Sequence, residues 1–170
     1  MGRMGHPIDR PADGCVLRDF EEGDMEWMLS GLVRAASSSI HPDVRGRVDP
    51  IDLADRMGAI TERLMRDQAD GSAIIVAMRE GERAGVIWVG HMTETFSGEE
   101  SAIIWNVFVE PGHRRHGVGR ALMAAAERWA LTSGYRSMIL NVYSGNLAAI
   151  GLYEAMGFGV DNIHMRKSIG

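Results

Sequence analysis

The sequence predicts a single α+β domain, a mixed but mostly antiparallel sheet with helices on both of its faces. Three observations carry this. A length of 170 residues, 45% hydrophobic and 24% charged, suits one core and leaves no room for a second comfortable one. Three β-branched apolar runs, residues 72–79, 84–92 and 101–110, succeed one another with short polar turns between them, the pattern of an antiparallel meander. A helical stretch at 118–132 then separates the meander from another apolar run at 136–143, giving a strand–helix–strand crossover.

The elements follow in order. "CVLRDF" (15–20) is a short strand, and Asp24 is placed to cap a helix from Met25 to about Ser37 with Trp27, Met28, Leu32 and Ala35 on one face. Residues 37–50 have the Ser, Pro, Gly and Asp content of a loop. Leu53, Met57, Ile60 and Leu64 give a buried stripe to a second helix from about Ile51 to Gln68. "EGER" closes the first hairpin and "TETFSGEE" the second. In 118–132 the stripe is Val118, Ala121, Leu122, Ala125 and Trp129. "NLAAIGLYEAM" (146–156) is a helix ended by Gly157, and "FGVDNIHMRKSI" (158–169) reads as a last strand. Residues 1–14 read as a disordered leader and 15–170 as the domain, with no repeat, low-complexity tract or linker to divide it.

Composition removes several function classes. A net charge of -5 argues against a general nucleic-acid binder, which needs a basic surplus to replace counterions. The single cysteine, Cys15, allows no intrachain disulfide and no CxxC motif. No apolar run approaches the ~20 residues that span a bilayer, the first residues have no hydrophobic signal core, and His6 stands where a myristoylation motif wants Ser or Thr. No membrane partner is expected, and the cytoplasm is the default compartment.

Against this acidic background "VEPGHRRHGVGRAL" (109–122) stands out as a local anion site. Gly112 and Gly117 have the spacing of a Walker loop, but Val118 and Gly119 occupy the positions where Lys and Ser/Thr must contact phosphate and metal. A dinucleotide fingerprint on Gly117 and Gly119 meets Leu122 in place of its third glycine, and the next strand ends in "NVY" with no acid for a ribose. A third arrangement fits better: Arg114-x-x-Gly117-x-Gly119 between a strand and a helix, with backbone N–H groups converging on a pyrophosphate. Taken alone, the turn also allows a plainer reading in which the glycines only shape the chain and the arginines are solvated.

The strand, V-x-P and R-x-x-G-x-G of "VFVEPGHRRHGVGRAL", followed by "NVYSGNLAAIGLYEAMGF" with Asn146 seven residues before Tyr153, resemble the signature of the GNAT superfamily of acyl-CoA-dependent N-acyltransferases. The resemblance covers residues 15–167, its N-terminal half in element order only. It implies an N-acetyltransferase that passes the acetyl group of acetyl-CoA to a primary amine by direct attack. By that resemblance the backbone from Arg115 to Arg120, with His116, Gly117, Val118 and Gly119, holds the pyrophosphate, and Arg114 closes over it. Main-chain groups of Val107, Phe108 and Val109 pair with the pantetheine arm, one of them facing the thioester oxygen. Asn146 contacts the same arm and Tyr153 protonates the departing thiolate. Each has a plainer alternative: Asn146 is a good N-cap, and Tyr153 a core residue.

Relatives often carry a Glu on the third or fourth strand, but "SAIIWNVFV" has none, so Glu94 is the first candidate for general base, ahead of His91 and His164. A solvated turn carboxylate is its plainer alternative. His113 and His116 have no third ligand at metal spacing, and no metal is expected. The helix pair 25–68 is expected to wall the acceptor site, where Asp43, Asp49, Asp52 and Asp55 read as a solvated face among arginines. The acceptor is a small-molecule or peptide amine, a homodimer is a family-level expectation, and the rival reading is a non-catalytic acyl-CoA sensor of the same fold.

Overall fold

The computed structural model describes residues 14–68, 71–95, 97–167 and 169, so residues 1–13 of the expected leader lie outside it. Its elements are β1 (Cys15–Asp19), α1 (Met25–Ser39), α2 (Pro42–Arg45), α3 (Pro50–Asp67), β2 (Ala73–Arg79), β3 (Glu82–Thr93), β4 (Glu100–Val109), α4 (Val118–Thr132), β5 (Met138–Leu140) and α5 (Leu147–Glu154). Single 3-10 turns at Glu22–Asp24 and Pro111–His113 precede α1 and follow β4. The sheet runs β1-β2-β3-β4-β5, antiparallel up to β4 and parallel between β4 and β5. The β2–β3 turn is two residues, Glu80 (φ 56°) and Gly81 (φ 83°), both left-handed as a type I′ hairpin requires.

Each face of the sheet buries its own cluster. Ala77, Ile87, Val89, Ala102 and Ile104 lie under Val118, Leu122, Met123, Ala126 and Ala130 of α4. Val76, Val86 and Phe108 lie under Met28 and Leu32 of α1, with Met57 of α3 at the edge. Gly31 of α1 rests on the Phe108 ring so closely that a Cβ there would fall 2.1 Å from Cζ. Gly31→Ala should therefore cost about 1–3 kcal/mol by overpacking, read as a lower urea midpoint with an unchanged slope.

Three expectations need correction. The loop 37–50 contains a one-turn helix, α2. On α3, Ile60 is 53% exposed while Thr61 is 2% exposed, so the inward seam runs through half-buried Leu53, Met57 and Leu64 and buried Thr61. No strand forms among the described residues of 158–169, where Val160 and Met165 are exposed. Asp161, Asn162, Arg166 and Lys167 interrupt the alternation, so the segment has no continuous apolar face to bury against the sheet.

Asp24 stands at the N-cap of α1 as expected, but its side chain makes no cap hydrogen bond to that helix. Its buried carboxylate takes Arg18 at 2.6 and 2.8 Å, Arg83 Nε at 2.7 Å and the Glu21 N–H at 2.9 Å, fastening β1 and β3 to the start of α1. The Arg18 hydrogen bond, together with the Glu21 and Arg83 bonds, outweighs the opposing effect of burial and holds the carboxyl well below the usual carboxylate range. A depressed pKa stabilises the fold above the unfolded value of about 4, and that stabilisation is lost as pH falls toward the folded value. Asp24→Asn should cost about 2–4 kcal/mol at pH 7 and progressively less below pH ~4, measured by urea titration at both pH values.

Candidate active site

The site begins with an insertion in β4. Val89 pairs with Ile104 and Trp88 with Asn106, so Trp105 has no partner on β3. One extra residue reverses the alternation of side chains. Ala102 and Ile104 face α4 before it; Val107 and Val109 pack on that same cluster after it, and Phe108 turns to α1. The insertion also marks where the fifth strand leaves. Pairing with β5 covers only Ala102–Ile104, so from Trp105 onward the outer edge of β4 has no strand partner among the described residues.

Alternation decides which main-chain groups that edge presents. The Phe108 carbonyl lies against Gly85 of β3, where a Cβ would be 2.7 Å from it, and the Glu110 N–H donates to Ala84 at 2.9 Å. Val107 and Val109 are the residues turned outward, and the Val109 carbonyl accepts from Arg114 Nε at 3.1 Å. Phe108 thus joins the site through its ring on α1, while the open edge is built by its two neighbours.

Beyond β4 the chain turns sharply. His113 is buried with Nε2 3.3 Å from Glu82 Oε2, which pins the turn to the β2–β3 hairpin. Arg115 (φ 67°) and Gly117 (φ 81°) are left-handed on either side of His116, and α4 starts at Val118 with Gly117 as its N-cap. The first main-chain bond of α4 is Ala121 N–H to Gly117 at 3.0 Å. Among the described residues, the N–H groups of Arg115, His116, Gly117, Val118, Gly119 and Arg120 have no acceptor. Such a run of donors at the positive end of a 15-residue helix is able to receive an anion. Arg114, Arg115 and His116 are exposed around it, Arg120 is half-buried, and buried Val118 roots the helix.

Gly119 also makes room for a later helix. A Cβ there would lie 3.1 Å from Leu152 Cδ2 and 3.7 Å from Val109 Cγ2. The missing side chain lets α5 seat against the first turn of α4. Tyr153 follows Leu152, half-buried on the α4-side cluster, its ring 5.9 Å from Phe158. Burial pushes its phenol above the ordinary value of 10.0. Its hydroxyl has no hydrogen-bond partner among the described residues. Asn146 caps α5, its Oδ1 accepting from the Ala149 N–H at 3.3 Å, which leaves its amide hydrogens free.

Turn, open edge and α5 come together; the other candidates do not join them. Glu94 sits in the β3–β4 turn beside Ser97, whose hydroxyl donates to it. Thr93 pairs with Glu100, six residues and about 20 Å of strand from Asn106. His91 is 3.1 Å from the Gly71 carbonyl and stacks on Tyr135, and His164 is exposed in the C-terminal segment. No group of three or more potential metal ligands occurs among the described residues.

Residues 37–158 match the model of the acetyltransferase (GNAT) family. The chain belongs to that family. A mycothiol acetyltransferase of Streptomyces avermitilis is 30% identical over 148 residues, which are 86% of this chain and 43% of the relative. The GNAT chain described here thus spans less than half the length of the curated relatives it first matches. Among solved structures, a provisionally assigned acetyl transferase of Pyrococcus furiosus superposes with a TM-score of 0.75 at 25% identity, over 91% of this chain and 99% of that one. AAC(6')-Iy, solved with a bisubstrate analog of CoA and acetylneamine, shares the fold with a TM-score of 0.62 at 24% identity, again over 91% and 99%. The GNAT fold accounts for the mixed five-strand sheet, and in this family acetyl-CoA is the donor. No helix among the described residues is long and apolar enough to cross a membrane.

Proposed function

We propose that the chain is an N-acetyltransferase that passes the acetyl group of acetyl-CoA directly to a primary amine, with no covalent enzyme intermediate. The observation that carries it is the continuity of the open β4 edge with the six unpaired N–H groups of residues 115–120. An extended arm ending in a diphosphate fits that edge and that cradle together. The donor supplies an activated acetyl thioester and a thiol leaving group.

The chain's own groups do the rest. Outward main-chain groups of Val107 and Val109 hold the arm as an added strand, and an outward N–H there faces the oxygen on which charge develops. Arg114, Arg115 and Arg120 neutralise the diphosphate. Tyr153 stays protonated and gives its proton to the departing sulfur; the desolvation that raises the phenol acts on a buried thiolate in the same direction. The Asn146 amide hydrogens are donors for an arm carbonyl. With Glu94 at the far end of β4, the proton of the attacking amine goes to water at the open edge.

Acetyl-CoA offered with a panel of small and peptide amines should give thiol release that depends on the amine, one thiol for each N-acetyl product by mass spectrometry. Saturable CoA binding with no turnover on any amine would overturn the catalytic reading in favour of an acyl-CoA sensor.

A further inference from the structure

Glu110 is the last residue before the proline that bends the chain toward the cradle, and a carboxylate so close to an anion site should repel its ligand. Its side chain is tied instead to α1. Glu110 Oε1 accepts from Trp27 Nε1 at 2.8 Å and from the Arg34 guanidinium at 2.7 Å. Trp27 is itself held, its ring 5.1 Å from Phe108 and under Arg83 at 5.8 Å. The main chain is fixed as well, through the Glu110 N–H to Ala84 and the His113 N–H to the Glu110 carbonyl, both at 2.9 Å.

We propose that Glu110 is a positioning residue for the donor: clamped by Trp27 and Arg34, it sets the direction in which the chain leaves β4 and so aims the N–H groups of residues 115–120. This rests on the reading of that turn as the donor's phosphate cradle. The clamp has two separable parts. Two hydrogen bonds fix the geometry, and the Arg34 cation cancels the charge that Glu110 would present to the diphosphate. Removing the side chain loses the aim, whereas removing Arg34 leaves the charge exposed and halves the tie.

Calorimetric titration with CoA separates these parts, beside KM and kcat for acetyl-CoA and a urea midpoint for each variant. Glu110→Gln keeps the acceptor oxygen without the charge, and its Kd should stay within about threefold of wild type. Glu110→Ala should weaken CoA about tenfold, equivalent to about 1.4 kcal/mol, with KM rising alongside and kcat within about twofold. Arg34→Gln should weaken CoA by a similar factor, and adding Glu110→Gln to it should recover most of the loss. A purely structural role would lower the urea midpoint and leave Kd unmoved, which would overturn the assignment. So would an Arg34→Gln loss that Glu110→Gln does not relieve. If Glu110→Ala fails to fold, the Arg34→Gln and double variants decide alone. Failure of the wild type to bind CoA would instead remove the cradle, and this role with it.

Discussion

Gly117→Val should weaken CoA binding at least 100-fold while leaving the domain folded. Position 117 combines three demands: a φ of 81°, the N-cap of α4, and the middle of the run of unpaired N–H groups. A left-handed conformation costs a non-glycine residue about 1–2 kcal/mol, and β-branching adds to that. The chain can relieve the strain only by rotating out of that region, which turns neighbouring N–H groups away from their common focus. The core of α4 is not involved, since Val118, Leu122 and Ala126 stay packed beneath it. Calorimetry with CoA and far-UV circular dichroism make the check together. A folded variant with Kd within threefold of wild type would show that the turn holds no phosphate. Gly119→Ala is the informative contrast. Its Cβ meets the flexible end of Leu152 at 3.1 Å, so CoA affinity should change little; Gly119→Trp should displace α5 and abolish binding.

Tyr153→Phe should lower kcat about 100-fold with the KM for acetyl-CoA within about threefold of wild type. The ring, and with it the packing on Phe158 and the α4-side cluster, survives the change; only the proton donor is lost. The sign of the burial effect adds a second readout. A phenol raised above 10.0 is the protonated acid at every pH from 7 to 9, so the wild-type kcat should show no alkaline decline from this group below pH ~10. Steady-state rates across that range test both statements. A variant with full kcat would take Tyr153 out of the mechanism.

The parts of the candidate site legible in the sequence are those placed by local chain order. Gly117, the arginines around it and the Asn146–Tyr153 spacing each lie within one turn or one helix, so chain order alone sets them side by side. The insertion at Trp105 is equally local yet hidden. "IIWNVFV" is apolar on both faces, and a strand covered on both sides carries no alternation whose reversal could be seen. The reason for Gly119 needed a neighbour, Leu152, from a later helix. Glu94 looked close to the site because it ends a strand next to β4; the hairpin sends it to the opposite end. Trp27 and Glu110 are 83 residues apart, a pairing that no local pattern can show. The last strand failed for the opposite reason: Asp161, Asn162, Arg166 and Lys167 break the alternation of 158–169.

The extra residue in β4 splits one strand into two reading frames. Upstream of Trp105, even-numbered positions answer to α4; downstream, odd-numbered ones do. Each half can therefore repack against the core in its own frame, while the main-chain groups of the second half keep facing the open edge. A point substitution on one side is a local event. Loss of the single residue between them would turn Val107, Phe108 and Val109 inside out at once, and no change of side chain elsewhere could restore the frame.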